Sequence, residues 1–253
     1  MPEPTLFVQR LGRNAWYFQL RDRGLPAAEA REVARREHGQ EIFPAGTFSD
    51  SLVISARAWK TWALVAIYFT TFGGFIALTA WLPTYWKSYF GFWTVTAGML
   101  TALYSLLASV VRVAAGGAAD RIGGESAAIM ALLTMLLGAA VMVVSGSVAL
   151  SIVGIVLMAV GMGAANAAVF KLVPQEVPQA VGGAAGWVGG LGAFGGFLIP
   201  PLMSLFVGAQ GQQGYSSGFA VFIALGTLSL ALALALKRLP VLLGARASSS
   251  PSK

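Results

Sequence analysis

The chain has 253 residues, 57% of them in the AVILMFWYC set and only 11% charged, with 31 glycines and a mean hydropathy of +0.72; a soluble domain carries about 25% charged residues, so water is the wrong solvent for most of it. No Cys and a single His38 exclude disulfides, thiolate chemistry and His-based metal clusters, and no cofactor or metal site is expected. The net charge of +7 does not indicate a nucleic-acid partner, because nine of the 17 basic residues precede position 61 amid seven of the ten acidic ones, and the others mostly edge apolar runs.

Residues 1–58 are polar and form a cytoplasmic loop-like segment, with a short helix expected over Ala27–His38, where Glu32 and Arg36 share a face. Met1 is followed by PEPTLFVQRLGR, which has neither the basic nor the apolar region of a signal peptide. From Thr61 onward, stretches near the roughly 20 residues needed to cross a bilayer recur at 61–83, 93–119, 126–145, 148–170, 181–207 and 217–236. The hinges between them are TYWKSYFGF after Pro83, the Asp120–Glu125 turn, SGS at 145–147, KLVPQEVPQ, and GAQGQQGYSSG from Gly208. Such short connections force antiparallel neighbours, and lipid tolerates no open sheet edge. The expected fold class is therefore all-α: a polytopic membrane protein whose six-helix bundle occupies 59–240, followed by a disordered cytoplasmic tail over 241–253.

Six spans place both termini on one side of the bilayer. Fifteen basic residues fall on that side and Lys87 alone on the other, which predicts cytoplasmic termini, with Trp81, Trp86 and Trp93 marking the outer interface.

Arg112 lies deep in the second span, within LLASVVRVAAGG. Placing a guanidinium there costs at least about 2.5–3.5 kcal/mol, so it should face a cavity or a partner, and an anion is the simplest compensation. No Asp, Glu or His lies inside the six predicted spans to pair with it or to relay a proton. Tyr68 and Phe72, four residues apart, share a helix face that Phe75 and Ile76 continue. Packing explains such spacing, though a phenol beside an Arg also offers an oxyanion a donor and a flat wall. Asn166 is either glue between helices or a cavity residue. The fifth span carries eight glycines, at 182, 183, 186, 189, 190, 192, 195 and 196, before Pro200–Pro201. The series Gly182, Gly186, Gly190 and the pair Gly192, Gly196 permit close helix approach, and an interrupted helix could also turn N–H groups toward an anion. No nucleophile–base pair, paired carboxylates or metal-ligand cluster points to an intramembrane enzyme.

GGAADRIGG resembles the G-x-L-x-D-R-x-G loop motif of major facilitator superfamily transporters, as Gly116, Asp120, Arg121 and Gly123, with Ala118 in place of Leu. GWVGGLGAFGGFLIPP resembles the nitrate signature in the second half of the nitrate/nitrite porter family, and GMGAANAAVFKLVP its preceding helix. The resemblance covers residues 59–240 as helices seven to twelve of a twelve-helix transporter of the inner (plasma) membrane, with 1–58 as its central loop. It implies that Arg112 holds the anion, that Tyr68 and Phe72 flank it, and that Asn166, Gly189, Gly190, Gly192 and Gly195 border the substrate. Arg112-Val113 replaces the usual Arg-Pro, and Ala115 the first Gly of the following pair.

In that family the substrate lies between two six-helix halves, each supplying an Arg. The expected function is thus nitrate/nitrite transport by alternating access, with a separate six-helix N-terminal half or a second copy completing the site. The alternative is a truncated, transport-inactive fragment or a membrane interaction protein that associates with a full-length porter. Met1 beginning inside what should be a loop favours a fragment.

Overall fold

The computed structural model describes residues 20, 23–26, 29–30, 32–33 and 48–248, of which 48, 118, 120 and 239–248 are described by backbone alone. Among the described residues every regular element is helical, and six segments are long and apolar enough to cross a membrane. Helix α1 (Phe48–Ala56) precedes the first span, formed by α2 (Trp59–Tyr68), one π-helical turn (Phe69–Gly73) and α3 (Gly74–Phe90). Spans two to four are single helices: α4 (Thr94–Ile122), α5 (Gly124–Val143) and α6 (Val148–Glu176). After a 3-10 turn at Pro178–Ala180, the fifth span is split into α7 (Val181–Ala193) and α8 (Gly195–Gln210). A second 3-10 turn and the short α9 (Gly214–Ser217) lead into α10 (Ala220–Ser248). An apolar run without water can satisfy its backbone only within its own helix, which explains the absence of strands among the described residues.

Small residues bring these helices together. A Cβ on Gly138 would stand 2.7 Å from the Gly154 carbonyl, and one on Gly161 2.5 Å from the Met135 nitrogen, so α5 and α6 touch backbone to backbone. Leu64, Ile67, Leu78, Leu82, Leu132, Met135, Phe219 and Phe222 fill the interior left between the spans.

At the end of the bundle where α4 begins, buried hydroxyls replace apolar contacts. Tyr85 and Ser151 share a 2.7 Å hydrogen bond, Tyr89 donates to the Ser145 carbonyl, and Ser216 donates to the Met142 carbonyl. At the opposite end Ser51 accepts from the Gly183 N–H at 3.0 Å and the Trp187 indole donates to the Leu52 carbonyl, strapping α1 onto α7.

Several sequence expectations move. The first span does not stop at Pro83, which lies inside α3; ending the helix there would leave more backbone groups unpaired in lipid than the one bond a proline removes. It ends instead at Gly91, whose left-handed φ of +73° a side chain would strain. The fourth span likewise runs through Pro174 to Glu176, shortening the expected KLVPQEVPQ hinge to Val177 and the 3-10 turn. The turn expected at Asp120–Glu125 contracts to Gly123 (φ +87°), and α8 continues past Gly208 to Gln210. Trp81 and Trp86 do not mark an interface: they are 8% and 1% exposed, packed among Tyr85, Phe90 and Tyr215, while Trp93 is 86% exposed. Most of the expected helix at Ala27–His38, Arg36 included, lies outside the described residues, as do 249–253; α10 carries helical backbone through 241–248, where the tail composition predicts disorder.

Candidate anion site

Arg112 stands about two thirds of the way along α4, and the first span meets it at its π-helical turn. A π turn widens the helix by one residue and re-aims the side chains that follow. Here it sits directly after Tyr68 and contains Phe72. The two rings stack with centroids 4.8 Å apart and planes 16° from parallel. Arg112 Nη2 donates to the Tyr68 hydroxyl at 3.4 Å, and its Cζ lies 5.4 Å from the Phe72 ring centroid, a cation–π distance. Phe170 of α6 meets the Tyr68 ring edge-on at 5.1 Å.

The guanidinium is therefore oriented but not neutralised. It has five N–H donors. Among the described residues only the Tyr68 hydroxyl accepts from them, and no carboxylate pairs with the cation. Beside it opens a cleft of about 20 Å³, room for one water-sized sphere, lined by Phe72, Phe75, Ala108, Ser109, Arg112 and Asn166. Asn166 is 3% exposed and its Oδ1 has no hydrogen-bond partner. A buried amide oxygen left unpaired costs about 1–3 kcal/mol, and because it only accepts, it is the NH2 group of Asn166 and not this oxygen that could serve an anion. A cation with open donors, flat aromatic walls and low dielectric can hold a small planar oxyanion by paired, charge-assisted hydrogen bonds.

The glycines of the fifth span divide into two groups. A Cβ on Gly192 would meet Tyr68 Cδ1 at 2.6 Å, one on Gly196 would meet Ile76 at 2.6 Å, and Gly195 is packed against the Phe69 carbonyl. Gly73 approaches equally closely, since its Cβ would lie 2.6 Å from the Gly195 Cα and 2.7 Å from the Gly192 carbonyl. The break between α7 and α8 thus presses bare backbone against the π turn and fixes the Tyr68 ring from behind. Gly189 and Gly190 have nothing within 4 Å, and neither have Gly182 and, apart from Leu52, Gly186. The expected pair 192 and 196 is packed, joined by 183 and 195, whereas the expected series 182, 186 and 190 is not, because α1 and the π turn both lie on the former side.

At the end of the bundle where α4 stops, Arg121 is exposed, Gly116 has open space around it, and the side chain of Asp120 lies outside the described residues. Lys171 Nζ donates to the Ala119 carbonyl at 2.7 Å, joining α6 to the last turn of α4. Nearby, Lys60 Nζ and Glu176 Oε2 form a 2.6 Å ion pair with side chains 31% and 6% exposed. Glu176 is an acid at the end of α6, the fourth span, that the shorter predicted span excluded. Gly73, Ser109, Lys60 and Glu176 were all missed from sequence; the GG in YFTTFGGF was the one available signal. Among the described residues no three His, Asp or Glu side chains could hold a metal ion.

The family model of the Major Facilitator Superfamily matches residues 14–200 and 93–251 in two overlapping alignments. The chain is 34% identical over 177 residues to the probable nitrate/nitrite antiporter of Thermus thermophilus, covering 62% of this chain and 39% of that protein. It is 33% identical over 170 residues to the nitrite extrusion protein of Bacillus subtilis (67% and 42%), and 33% identical over 175 residues to a probable nitrate/nitrite transporter of Mycobacterium tuberculosis (68% and 44%). It thus spans about two fifths of the length of the curated relatives it matches. With the family model covering well over half of its residues, this six-span, all-helical chain belongs to the Major Facilitator Superfamily.

Proposed function

We propose that the chain forms the C-terminal half of a carrier for nitrate, nitrite or a similarly small oxyanion, working by alternating access against a six-span N-terminal half. The observation that carries this reading is the Arg112 guanidinium, held inside an apolar span by Tyr68 and Phe72 with no carboxylate beside it among the described residues. Named relatives that carry nitrate or nitrite support the substrate class. Their greater length supports the need for a second half, supplied by the remainder of a longer protein, a separate chain or a second copy. Asn166 completes this half of the site, Gly192 and Gly195 support it by backing the Tyr68 ring and the π turn, and Gly189 and Gly190, with open space around them, are assigned to the face that meets the second half. The charge asymmetry of the loops supports a multi-pass protein of the plasma membrane with both termini in the cytoplasm.

Fixed Arg charge on one anion, exchanged for another, needs no proton relay. The test is nitrate and nitrite uptake into proteoliposomes holding this chain alone and then with a six-span N-terminal half. Flux only when both are present is the expected result. Absence of flux in every pairing, with the chain still inserted and helical, would overturn the carrier reading in favour of a membrane interaction role.

A further inference from the structure

The second span carries a polar stripe that enters the site described above at Arg112 and Ser109 and extends beyond it. Thr101, Ser105, Ser109 and Arg112 follow one another at spacings of four, four and three, so they share one face of α4. Leu103, Leu106, Val110 and Val113, all more than half exposed, occupy the other side. At the helical rise of 1.5 Å per residue, the stripe climbs about 16 Å from Thr101 to Arg112. Thr79 of α3 joins it from the first span, with Thr79 Oγ1 and Ser105 Oγ 3.2 Å apart.

Each of these hydroxyls also lies on a carbonyl one turn back in its own helix: Thr79 on Phe75 at 2.9 Å, Thr101 on Ala97 at 2.8 Å, Ser105 on Thr101 at 3.1 Å and Ser109 on Ser105 at 2.8 Å. Thr79 and Ser105 have two hydroxyl protons between them and three contacts to fill, so one contact always lacks its proton. A hydroxyl on such a ladder can swing its proton from the carbonyl to a passing acceptor, exchanging one hydrogen bond for another. Thr79 and Ser109 are exposed in this chain. At the Arg112 end, the stripe opens into the cleft that Ser109 and Arg112 share with Asn166, Phe72 and Phe75.

We propose that the Thr79, Ser105 and Ser109 hydroxyls line the path by which a small oxyanion travels between Arg112 and the end of the bundle where α4 begins. Resting on the carrier reading, this assigns Thr79 and Ser105, leading to Ser109 at the edge of the cleft, to passage of the substrate toward the groups that hold it. Small side chains leave the width, and their rotating donors replace part of the anion's hydration shell step by step.

The natural absence of Cys permits a direct test. Single substitutions Ser105→Cys, Ser109→Cys, Leu103→Cys and Leu106→Cys are compared in membrane vesicles holding the full chain with an N-terminal half, using an anionic, membrane-impermeant methanethiosulfonate. Thiols react as thiolates, which form where water reaches, so Ser105→Cys and Ser109→Cys should label about tenfold faster than the two leucine positions. Nitrate or nitrite should slow labelling at Ser109→Cys, and Arg112→Ala should abolish that protection. Equal rates on both faces, or fast labelling indifferent to both anions, would overturn the path. Uptake by the cysteine-free chain in the same vesicles reports separately on the carrier reading. Stripe-selective, anion-protected labelling without Arg112-dependent uptake would keep the stripe as an anion's access route to Arg112 but sink the carrier, and uptake with uniform labelling would keep the carrier and sink the path.

Discussion

Replacing Gly192 with Ala adds one methyl group at the back of the Tyr68 ring. That Cβ would lie 2.6 Å from Tyr68 Cδ1 and 3.0 Å from Tyr68 Cβ, where ordinary contact begins at 3.4 Å. The ring must retreat by about 0.8 Å, and the end of α7 cannot absorb the shift because the Gly192 carbonyl is already close against Gly73 and the adjoining Gly195 of α8 against the Phe69 carbonyl. The Arg112–Tyr68 hydrogen bond is at 3.4 Å, the outer limit of such contacts, so any displacement of the ring alters or breaks it. Overpacking of this kind costs about 1–3 kcal/mol of stability. Loss of a long hydrogen bond that orients the guanidinium should cost about 1 kcal/mol in anion binding, roughly a fivefold weaker affinity. Thermal unfolding in detergent reads the first effect, and nitrate titration of the assembled carrier the second. Gly190→Ala, whose Cβ meets nothing within 4 Å, should leave the unfolding of the chain within about 0.5 kcal/mol of wild type. In combination with Tyr68→Phe the affinity loss should be less than additive, because both changes act on the same hydrogen bond. Equal behaviour of Gly192→Ala and Gly190→Ala, or full additivity with Tyr68→Phe, would refute the idea that the fifth span positions the Tyr68 ring.

Arg112→Lys should weaken nitrate binding by at least about tenfold despite keeping the charge, since a point cation cannot present the planar pair of donors; equal affinity would remove Arg112 from the site. Glu176→Gln leaves Lys60 facing a neutral amide and should lower stability by about 1–2 kcal/mol, less than for a fully buried pair because Lys60 is 31% exposed. The double change Lys60→Met, Glu176→Leu should recover most of that loss in the same thermal scan, and no recovery would mean the ion pair is not what matters there. Ser51→Ala removes the acceptor for the Gly183 N–H and should loosen α1 by about 1 kcal/mol, seen as roughly fivefold faster tryptic cleavage after the exposed Arg57; unchanged cleavage would mean that α1 is held by other contacts.

The spans and the anion-binding candidate were legible in the sequence because each rests on a strong local signal. A charged residue inside an uninterrupted apolar run, as at Arg112, has few neutral explanations. Tyr68 and Phe72 were found by simple helical spacing, and the structure does stack them. What failed depends on environment. Proline ends helices in water, where freed carbonyls are solvated, but Pro83 and Pro174 sit in helices whose termination in lipid would expose more polar backbone than it relieves. Trp81 and Trp86 suggested an interface by type alone, whereas they face inward to an aromatic cluster. The packed glycine face of the fifth span could not be chosen in full because its eight glycines satisfy more than one register, and the π turn that selects it has no composition of its own. Lys60 and Glu176 lie 116 positions apart at two helix ends, beyond the reach of any local pattern.

The most direct test of the central claim, that Arg112 braced by Tyr68 and Phe72 holds the transported anion, is nitrate and nitrite flux in proteoliposomes containing this chain with an N-terminal half, wild type against Arg112→Ala. Flux in the wild type that is lost in Arg112→Ala, with both proteins inserted in equal amount, is the predicted result. Undiminished flux without the guanidinium would contradict it.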